Sequence, residues 1–157
     1  FLKIMESYRG DQVICYFAGD DKNKSYTSKL INEINKKNLQ QNCKIIGHLS
    51  KEDLKMMYKC ADIVISAPLE PEGFGRTISE SLAMKKIVLC YDYGGARDQL
   101  NGLDEIYKVS LHDQTEMKNK IDKIIKLSNP YKDNLGSISR RHVIKNFSSL
   151  GGLIAEN

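Results

Sequence analysis

IVISAPLEPEGFGRTISESLAMKKIVLCY, residues 63–91, runs from an apolar strand through a glycine turn and a helix into a second apolar strand. Both flanking runs, residues 63–66 and 87–91, are continuously apolar instead of alternating with polar residues. Strands with this pattern are typically buried on both faces, as in a parallel sheet that is covered by helices. The helix between them is predicted to run from about Arg76 to Met84. This stretch therefore predicts an α/β fold.

Apolar runs and helical patterns alternate along the rest of the chain as well. Further strands are predicted at residues 13–18, 43–46 and 105–109. Helices are predicted at about residues 24–37, at 51–61, over the apolar positions 117–125 and, after a break at 129–130, over 140–147. The first of these helices should bury Tyr26, Leu30, Ile31 and Ile34. We expect a doubly wound, mostly parallel, Rossmann-like sheet in a single three-layer domain over residues 1–157.

Composition and charge are typical of a globular protein that has no nucleic-acid partner. Of 157 residues, 41% are hydrophobic and 28% are charged, and the net charge of +4 comes from lysines scattered among aspartates and glutamates. A nucleic-acid-binding protein more often clusters its cations on one element. The longest apolar runs have the length of a strand, which is too short to span a bilayer.

The four cysteines, at positions 15, 43, 60 and 90, have neither Cys-x-x-Cys spacing nor a histidine pair nearby. We therefore expect no metal site and no metal cofactor. Buried free thiols are the expected state, because three of the four lie within or beside strand-like apolar runs and the fourth closes a helix. Free thiols point to a reducing cytoplasm.

The glycine turn carries two carboxylates, Glu72 and Glu80, eight residues apart. Backbone amides and the dipole at a helix N-terminus favour a phosphate, and Gly73 and Gly75 allow a ligand to approach the backbone closely. Taken singly, Glu80 would more often be a dipole partner and Glu72 a surface residue. Together in this setting they supply acceptors for hydroxyl groups, since a carboxylate in the first helical turn can accept both hydroxyls of a ribose. The pattern indicates a site for a nucleotide attached to a sugar.

Residues 66–99, SAPLEPEGFGRTISESLAMKKIVLCYDYGGARDQ, resemble the signature of the family 4 glycosyltransferases, and Glu72 and Glu80 resemble its paired-glutamate motif. YFAGDD at 16–21, KIIGHLSKEDLKMMYKCADIVISAP at 44–68 and RRHVIKNFS at 140–148 are similar to other parts of the same domain. The resemblance thus extends over nearly the whole chain. It implies the C-terminal, donor-binding domain of the two-domain glycosyltransferase-B fold.

The resemblance also implies a role for each residue of the motif. Glu80 would bind the ribose hydroxyls, and Glu72 would contact the transferred sugar as the catalytic glutamate. The other donor-binding residues would be Gly73, Phe74, Gly75, Arg76 and Thr77 along the sugar and phosphates, and Gly47, His48 and Leu49 near the base. Members of this family usually retain the anomeric configuration of the sugar and need no bound metal.

One feature that the family uses has no match in this chain. The arginine and lysine that neutralise the donor diphosphate would precede Phe1, where the sequence starts without a methionine. We therefore expect a fragment that lacks the first strand of its domain and the N-terminal, acceptor-binding domain. Arg76 could replace the cations in part, although a solvated residue at the helix start is the preferred interpretation.

The sequence thus predicts the donor half of a hexosyltransferase-like enzyme of lipopolysaccharide or polysaccharide biosynthesis. The donor would be a nucleoside-diphosphate sugar. The acceptor would be a glycan or lipid-linked molecule bound through the N-terminal domain, which would also provide peripheral association with the cytoplasmic face of a membrane. The isolated chain should be inactive.

Two alternatives remain open from sequence. One is a non-catalytic nucleotide-binding relic or interaction module. The other is a sugar-nucleotide epimerase or hydrolase of similar fold, for which His48 is the only histidine at a strand end; His112 and His142 are predicted to lie at the surface. Mutation of His48 would discriminate, because the transferase interpretation expects little loss of chemistry from it.

Overall fold

The computed structural model describes residues 1–11, 13–19, 24–68, 70 and 72–147, and in these residues α-helices alternate with parallel β-strands. Asp20 and Asp21 of the YFAGDD segment, Pro71 of the motif and Ser148 of the tail lie outside the described residues. The chain divides into two compact units, residues 1–54 and the residues from Lys55 onward. The predicted α/β class and the parallel strand direction are confirmed.

The first unit contains a two-stranded parallel sheet with two helices. Its elements are α1 (Leu2–Glu6), β1 (Cys15–Ala18), α2 (Lys24–Lys36) and β2 (Cys43–Gly47). Cys15 pairs with Cys43 at the start of the ladder, and Ala18 pairs with Gly47 at its end, after a one-residue shift in register. α1 was not predicted from the sequence.

A buried amide fixes the segment before β1. The side-chain nitrogen of Asn42, which is 2% exposed, donates to the carbonyl oxygens of Tyr8, Asp11 and Val13 at 3.1, 3.1 and 2.9 Å. Buried backbone carbonyls need such donors when no strand pairs with them. Asn42 therefore holds the turn after α1 against the start of β2.

The second unit contains a three-stranded parallel sheet in the order β3-β4-β5. Its elements are the end of α3 (Lys51–Cys60), β3 (Ile63–Ser66), α4 (Arg76–Ala83), β4 (Ile87–Tyr91), α5 (Gly95–Leu100), β5 (Lys108–Val109), α6 (Gln114–Ile125) and α7 (Asn129–Phe147). Ser66 lies opposite Cys90 in the β3–β4 ladder. The carboxyl ends of these two strands are therefore neighbours, at the edge where parallel sheets bind ligands.

Among the strands of the described residues, β4 alone matches the prediction of burial on both faces along its whole length. All five residues of β4 are buried, because β4 is the central strand between β3 and β5. β1 alternates between half-buried and exposed residues, and Tyr16 is 51% exposed. The prediction that the strand at residues 13–18 is buried on both faces was therefore wrong.

Helix α7 packs closely against the end of α4. A Cβ atom on Gly136 would lie 2.3 Å from the carbonyl oxygen of Lys85, so only glycine allows this approach. The Tyr107 hydroxyl donates to the carbonyl of Leu135 at 3.1 Å, which joins α7 to the residue before β5. Pro130 does not merely end α6, as predicted, but lies in the first turn of α7, where its missing N–H costs nothing.

Three other predictions need correction. In α2, Ile34 is buried and Leu30 half-buried, whereas Tyr26 and Ile31 are 64% and 44% exposed, so the buried face of the helix is narrower than predicted. The predicted strand at 105–109 shrinks to β5, since Asp104 caps a 3-10 turn at Glu105–Tyr107 by accepting from the Ile106 amide at 2.8 Å.

The third correction concerns Cys60, which is exposed at the end of α3, whereas Cys43 and Cys90 are buried and Cys15 is half-buried. All four thiols are free. Within the described residues, no helix combines the length and the apolar character that a membrane crossing requires.

Candidate functional site

Gly75 forms the bend between the glycine turn and α4. It is the N-cap of α4 with φ 73° and ψ 68°, a left-handed conformation that residues with a Cβ rarely adopt. A Cβ atom here would also lie 3.2 Å from the Ile78 side chain and 3.3 Å from Oε2 of Glu72. Because glycine offers no side-chain cap, the first amides of α4 receive none. These amides and the helix dipole can hold an anion.

A second glycine turn, Gly94-Gly95, packs directly against the first. The Gly95 amide donates to the carbonyl of Glu72 at 3.1 Å. A Cβ atom on Gly95 would lie 2.3 Å from the carbonyl oxygen of Gly73 and would have to displace backbone. The two turns that follow β3 and β4 therefore pack against each other at the carboxyl edge of the sheet.

Glu80 is buried in the second turn of α4, with 6% exposure. Its Oε2 accepts from the Tyr58 hydroxyl and its Oε1 from the Arg76 guanidinium, both at 3.1 Å. The prediction that Glu80 lies in the first turn was wrong: α4 starts at Arg76, as predicted, and Glu80 is its fifth residue, which lies in the second turn because a turn holds 3.6 residues. Arg76 is 72% exposed, as predicted for a residue at the helix start, but it also pairs with Glu80.

Tyr58 is the residue that donates a hydrogen bond to the Glu80 carboxylate from the interior of the protein. Burial, and after it the negative charge of Glu80, raise the pKa of Tyr58 well above its ordinary value of 10. The hydroxyl therefore keeps its proton and acts only as a donor towards Glu80. This bond holds Oε2 of Glu80 in place, whereas Oε1 is paired with the exposed Arg76 guanidinium.

Glu72 lies in a narrow cleft at the carboxyl ends of β3 and β4. Its side chain is exposed, and the cleft is lined by Ser66, Pro68, Glu72, Gly75, Ile78, Tyr91, Tyr93 and Ala96. The hydroxyl oxygen of Tyr93 is buried there without a partner among the described residues. Burial, and after it the charges of Glu70 and Glu72, raise the pKa of Tyr93, so this hydroxyl stays protonated as a donor.

The two glutamates lie on different sides of the start of α4. Ile78 lines the cleft together with Glu72. Glu80 comes two residues later, about 200° further round the helix, and its carboxylate bonds to Tyr58 of α3. A ligand that touched both carboxylates would therefore cross the N-terminus of α4, where the uncapped amides lie.

Residues 1–142 match the model of one protein family, described as glycosyl transferases group 1. The chain belongs to this family. The predicted glycosyltransferase resemblance is thereby confirmed at the level of group 1. No curated protein matches the chain.

Solved structures extend the match of this group 1 chain to three dimensions. It superposes with a TM-score of 0.84 on a glycosyltransferase from Rickettsia africae, at 31% identity, over 93% of this chain and 38% of that one. HepE from Anabaena, crystallised with UDP and glucose, has a TM-score of 0.79 at 22% identity, over 92% and 40%. TarM from S. aureus, crystallised with fondaparinux, α-GlcNAc-glycerol and UDP, has a TM-score of 0.74 at 21% identity, over 92% and 28%.

These matches confirm the Rossmann-like fold expected for the C-terminal half of the glycosyltransferase-B architecture. The group 1 chain spans about two fifths or less of the length of these structures. The motif, with its glycine turn and two glutamates, lies within the matched residues.

The other motif residues of the group 1 chain surround the start of α4. Phe74 is half-buried, and its ring packs against Phe147 of α7 with the centroids 6.0 Å apart. Thr77 and Gly73 are exposed. They are therefore accessible beside the uncapped amides of the helix.

The three residues predicted near the base belong to the first unit. Gly47 ends β2 with φ +69°, and its carbonyl accepts from the Gly19 amide at 2.9 Å. His48 is exposed and Leu49 half-buried. Gly19 and Gly47 thus mark the carboxyl edge of this sheet. The role of Gly47, His48 and Leu49 at a base stays a prediction.

Two further histidines were predicted to lie at the surface. His112 is exposed, and its ring packs against Tyr91. His142 is instead half-buried, with Nε2 2.8 Å from the carbonyl oxygen of Gln99, so that prediction was wrong. Among the residues that the structure describes, no group of three His, Cys, Asp or Glu could hold a metal ion.

Two residues that hydrogen-bond to the motif, Tyr58 and Gln99, were not predicted from the sequence. Tyr58 precedes Glu80 by 22 residues, and Gln99 follows Gly75 by 24. No local pattern distinguishes Tyr58 from the other apolar positions of α3. For Gln99, the signal was a polar residue at the buried end of a short helix next to a double glycine.

Proposed function

We propose that the chain is the donor-binding part of a sugar transferase of the family 4 type, acting on a nucleoside-diphosphate sugar. The acceptor is a glycan or lipid-linked molecule, bound through a further N-terminal domain, and the sugar is transferred with retention of configuration. We assign the enzyme to the cytoplasmic side of lipopolysaccharide or polysaccharide assembly. The group 1 family membership and the UDP complexes of HepE and TarM support this proposal.

One observation carries the proposal. The buried carboxylate of Glu80 lies in the second turn of the helix that Gly75 caps, with one oxygen bonded to Tyr58 and the other paired with an exposed arginine. A buried carboxylate at the surface end of a helix is costly unless it is hydrogen-bonded. A ribose with two adjacent hydroxyls can supply donors to both oxygens. The site therefore has the acceptors that a nucleotide needs and a phosphate alone does not.

The donor would lie across the start of α4. The ribose would bind Glu80, the diphosphate the amides at Gly75, Arg76 and Thr77, and the transferred sugar the cleft beside Glu72. The diphosphate is the leaving group, so the amides would stabilise the charge that develops on it. Glu72 would orient the sugar, and the Tyr93 hydroxyl in the same cleft could donate a hydrogen bond to it.

Arg76 would change partners when the ribose binds. Its pair with Glu80 joins a buried carboxylate to a guanidinium that is 72% exposed, so the arginine side chain has room to reorient towards a ligand. Ribose hydroxyls at Glu80 would release the guanidinium, which could then contact the diphosphate. Arg76 is the one cation in the sequence of the motif, residues 70–80. Arg76 would thus provide part of the positive charge that the diphosphate requires.

Titration with nucleotides tests the proposal. Calorimetry with UDP, GDP and ADP is expected to show binding by at least one of them, and Glu80→Gln is expected to weaken it about tenfold or more, because one charged acceptor is lost. Glu105→Gln changes an exposed glutamate outside the motif and should leave the affinity unchanged. Equal affinity, or no binding, in the wild-type protein and Glu80→Gln would contradict the role of Glu80.

A further inference from the structure

Gln99 is a fully buried polar residue at the end of α5, with 0% exposure. Its side-chain nitrogen donates to two successive backbone carbonyls of the glycine turn, those of Phe74 and Gly75, the latter at 3.3 Å. Its side-chain oxygen is buried without a partner in the described part of the chain. An unpartnered buried oxygen costs free energy, and an apolar side chain would avoid that cost. The contribution of Gln99 at this position therefore comes from its side-chain nitrogen, which donates to the turn.

The two bonds determine which way the turn presents its amides. In a planar trans peptide group, the C=O and the following N–H point in opposite directions. Because the carbonyls of Phe74 and Gly75 point towards Gln99, the N–H groups of Gly75 and Arg76 point away from it. These are amides at the uncapped start of α4. The Gly75 carbonyl also accepts from the Ile78 amide at 3.0 Å. Gln99 therefore holds the peptide group that carries the Gly75 amide, and it shares the placement of the Arg76 amide with the first turn of α4.

Gln99 is itself held in place from both ends of α5. The first residue of α5, Gly95, donates to the Glu72 carbonyl at 3.1 Å. At the other end, Nε2 of His142 in α7 lies 2.8 Å from the Gln99 carbonyl oxygen and can donate to it. A side chain anchored in this way can resist rotation of the peptide groups that it contacts.

We propose that Gln99 is a positioning residue that orients the Gly75 and Arg76 amides towards the donor diphosphate. The inference rests on the proposed function, which assigns the diphosphate to these amides. It adds to that function a residue outside the motif, acting through the backbone of the turn and not by contact with the ligand.

The test uses Gln99→Met, which keeps a long unbranched side chain and removes the donor. Two readouts are needed: the ¹⁵N–¹H amide spectrum of the protein without ligand, and the dissociation constant for UDP. We expect the Gly75 and Arg76 amide resonances to shift or broaden while those of β4 stay in place, and UDP to bind about tenfold more weakly. Gln99→Glu, which keeps the shape and replaces the donor by an acceptor, should have a larger effect on both.

A matched control separates positioning from simple loss of packing. Leu100→Val shortens the neighbouring side chain, which is equally buried, and should leave the two amide resonances and the UDP affinity unchanged. Equal effects of Leu100→Val and Gln99→Met would overturn the inference.

The amide spectrum also separates this inference from the proposed function. If the wild-type protein does not bind UDP, the proposed function fails, and the positions of the Gly75 and Arg76 resonances still test the orientation. Unchanged resonances in both Gln99 variants would overturn the role of Gln99, whatever the affinity.

Discussion

At the scale of single residues, the Glu80 carboxylate is the most constrained group of the site. It is buried, and it accepts hydrogen bonds from two side chains, the Tyr58 hydroxyl and the Arg76 guanidinium. Tyr58 donates from the interior, whereas Arg76 donates from an exposed position. The interior bond should therefore contribute to folding and the exterior one mainly to recognition.

Tyr58→Phe tests this division. Removing a buried hydrogen bond to a charged group is expected to lower the free energy of unfolding by about 1.5–3 kcal/mol, measured by urea denaturation. Tyr16→Phe, in which the altered side chain is 51% exposed, should change it by less than about 0.5 kcal/mol. Equal small effects of the two substitutions would show that the Tyr58–Glu80 bond does not stabilise the fold.

At the scale of elements, helix termini determine where the site groups lie. α4 ends with the amides of Lys85 and Lys86 bonded to the carbonyls of Leu82 and Ser81, a pattern that normally has glycine at the left-handed position. Lys85 occupies that position with φ 60°. α6 starts at the Asp113 cap, whose side chain accepts from the Glu116 amide at 2.8 Å.

Lys85→Gly is expected to stabilise the protein. A lysine in the left-handed region carries a cost of about 1 kcal/mol that glycine does not pay in the folded state, so the midpoint of thermal unfolding should rise. Asn38, at φ 54°, provides the comparison, because asparagine tolerates this region better and Asn38→Gly should gain less. A lower midpoint for Lys85→Gly would contradict the predicted strain.

Glu116 links the start of α6 to the pH dependence of stability. Hydrogen bonds from Ser110, whose backbone amide lies 2.7 Å away, and the pair with Lys120 lower its pKa from an ordinary 4.5 to about 2. The folded protein thus releases this proton more readily than the unfolded chain. The stabilisation is therefore complete above pH 4.5 and is lost as the pH falls towards 2.

Because the Glu116 side chain is 30% exposed, solvent screening reduces its contribution to about 1 kcal/mol. Glu116→Gln should lose this amount at pH 7 and unfold less steeply with acid than the wild-type protein. Denaturation curves between pH 7 and pH 3 measure both effects. The same acid dependence in Glu116→Gln and the wild-type protein would mean that the hydrogen bonds do not lower this pKa.

At the scale of the whole molecule, sequence patterns predicted the elements better than the contacts among them. The continuous apolar run at 87–91 correctly indicated a strand buried on both faces, and the glycines at 73 and 75 correctly indicated a turn before α4. The start of α4 at Arg76 was predicted, but Glu80, its fifth residue, was placed one turn too early. Tyr58 and Gln99 were missed because their partners are more than 20 residues away in sequence.

The central claim is that Glu80 binds the ribose hydroxyls of a nucleoside diphosphate. A cycle with UDP and 2′-deoxy-UDP on the wild-type protein and Glu80→Gln tests it most directly. We predict that the wild-type protein binds UDP about tenfold more tightly than the deoxy ligand and that Glu80→Gln loses most of this preference. An equal preference for UDP in both proteins would contradict the assignment of the ribose to Glu80.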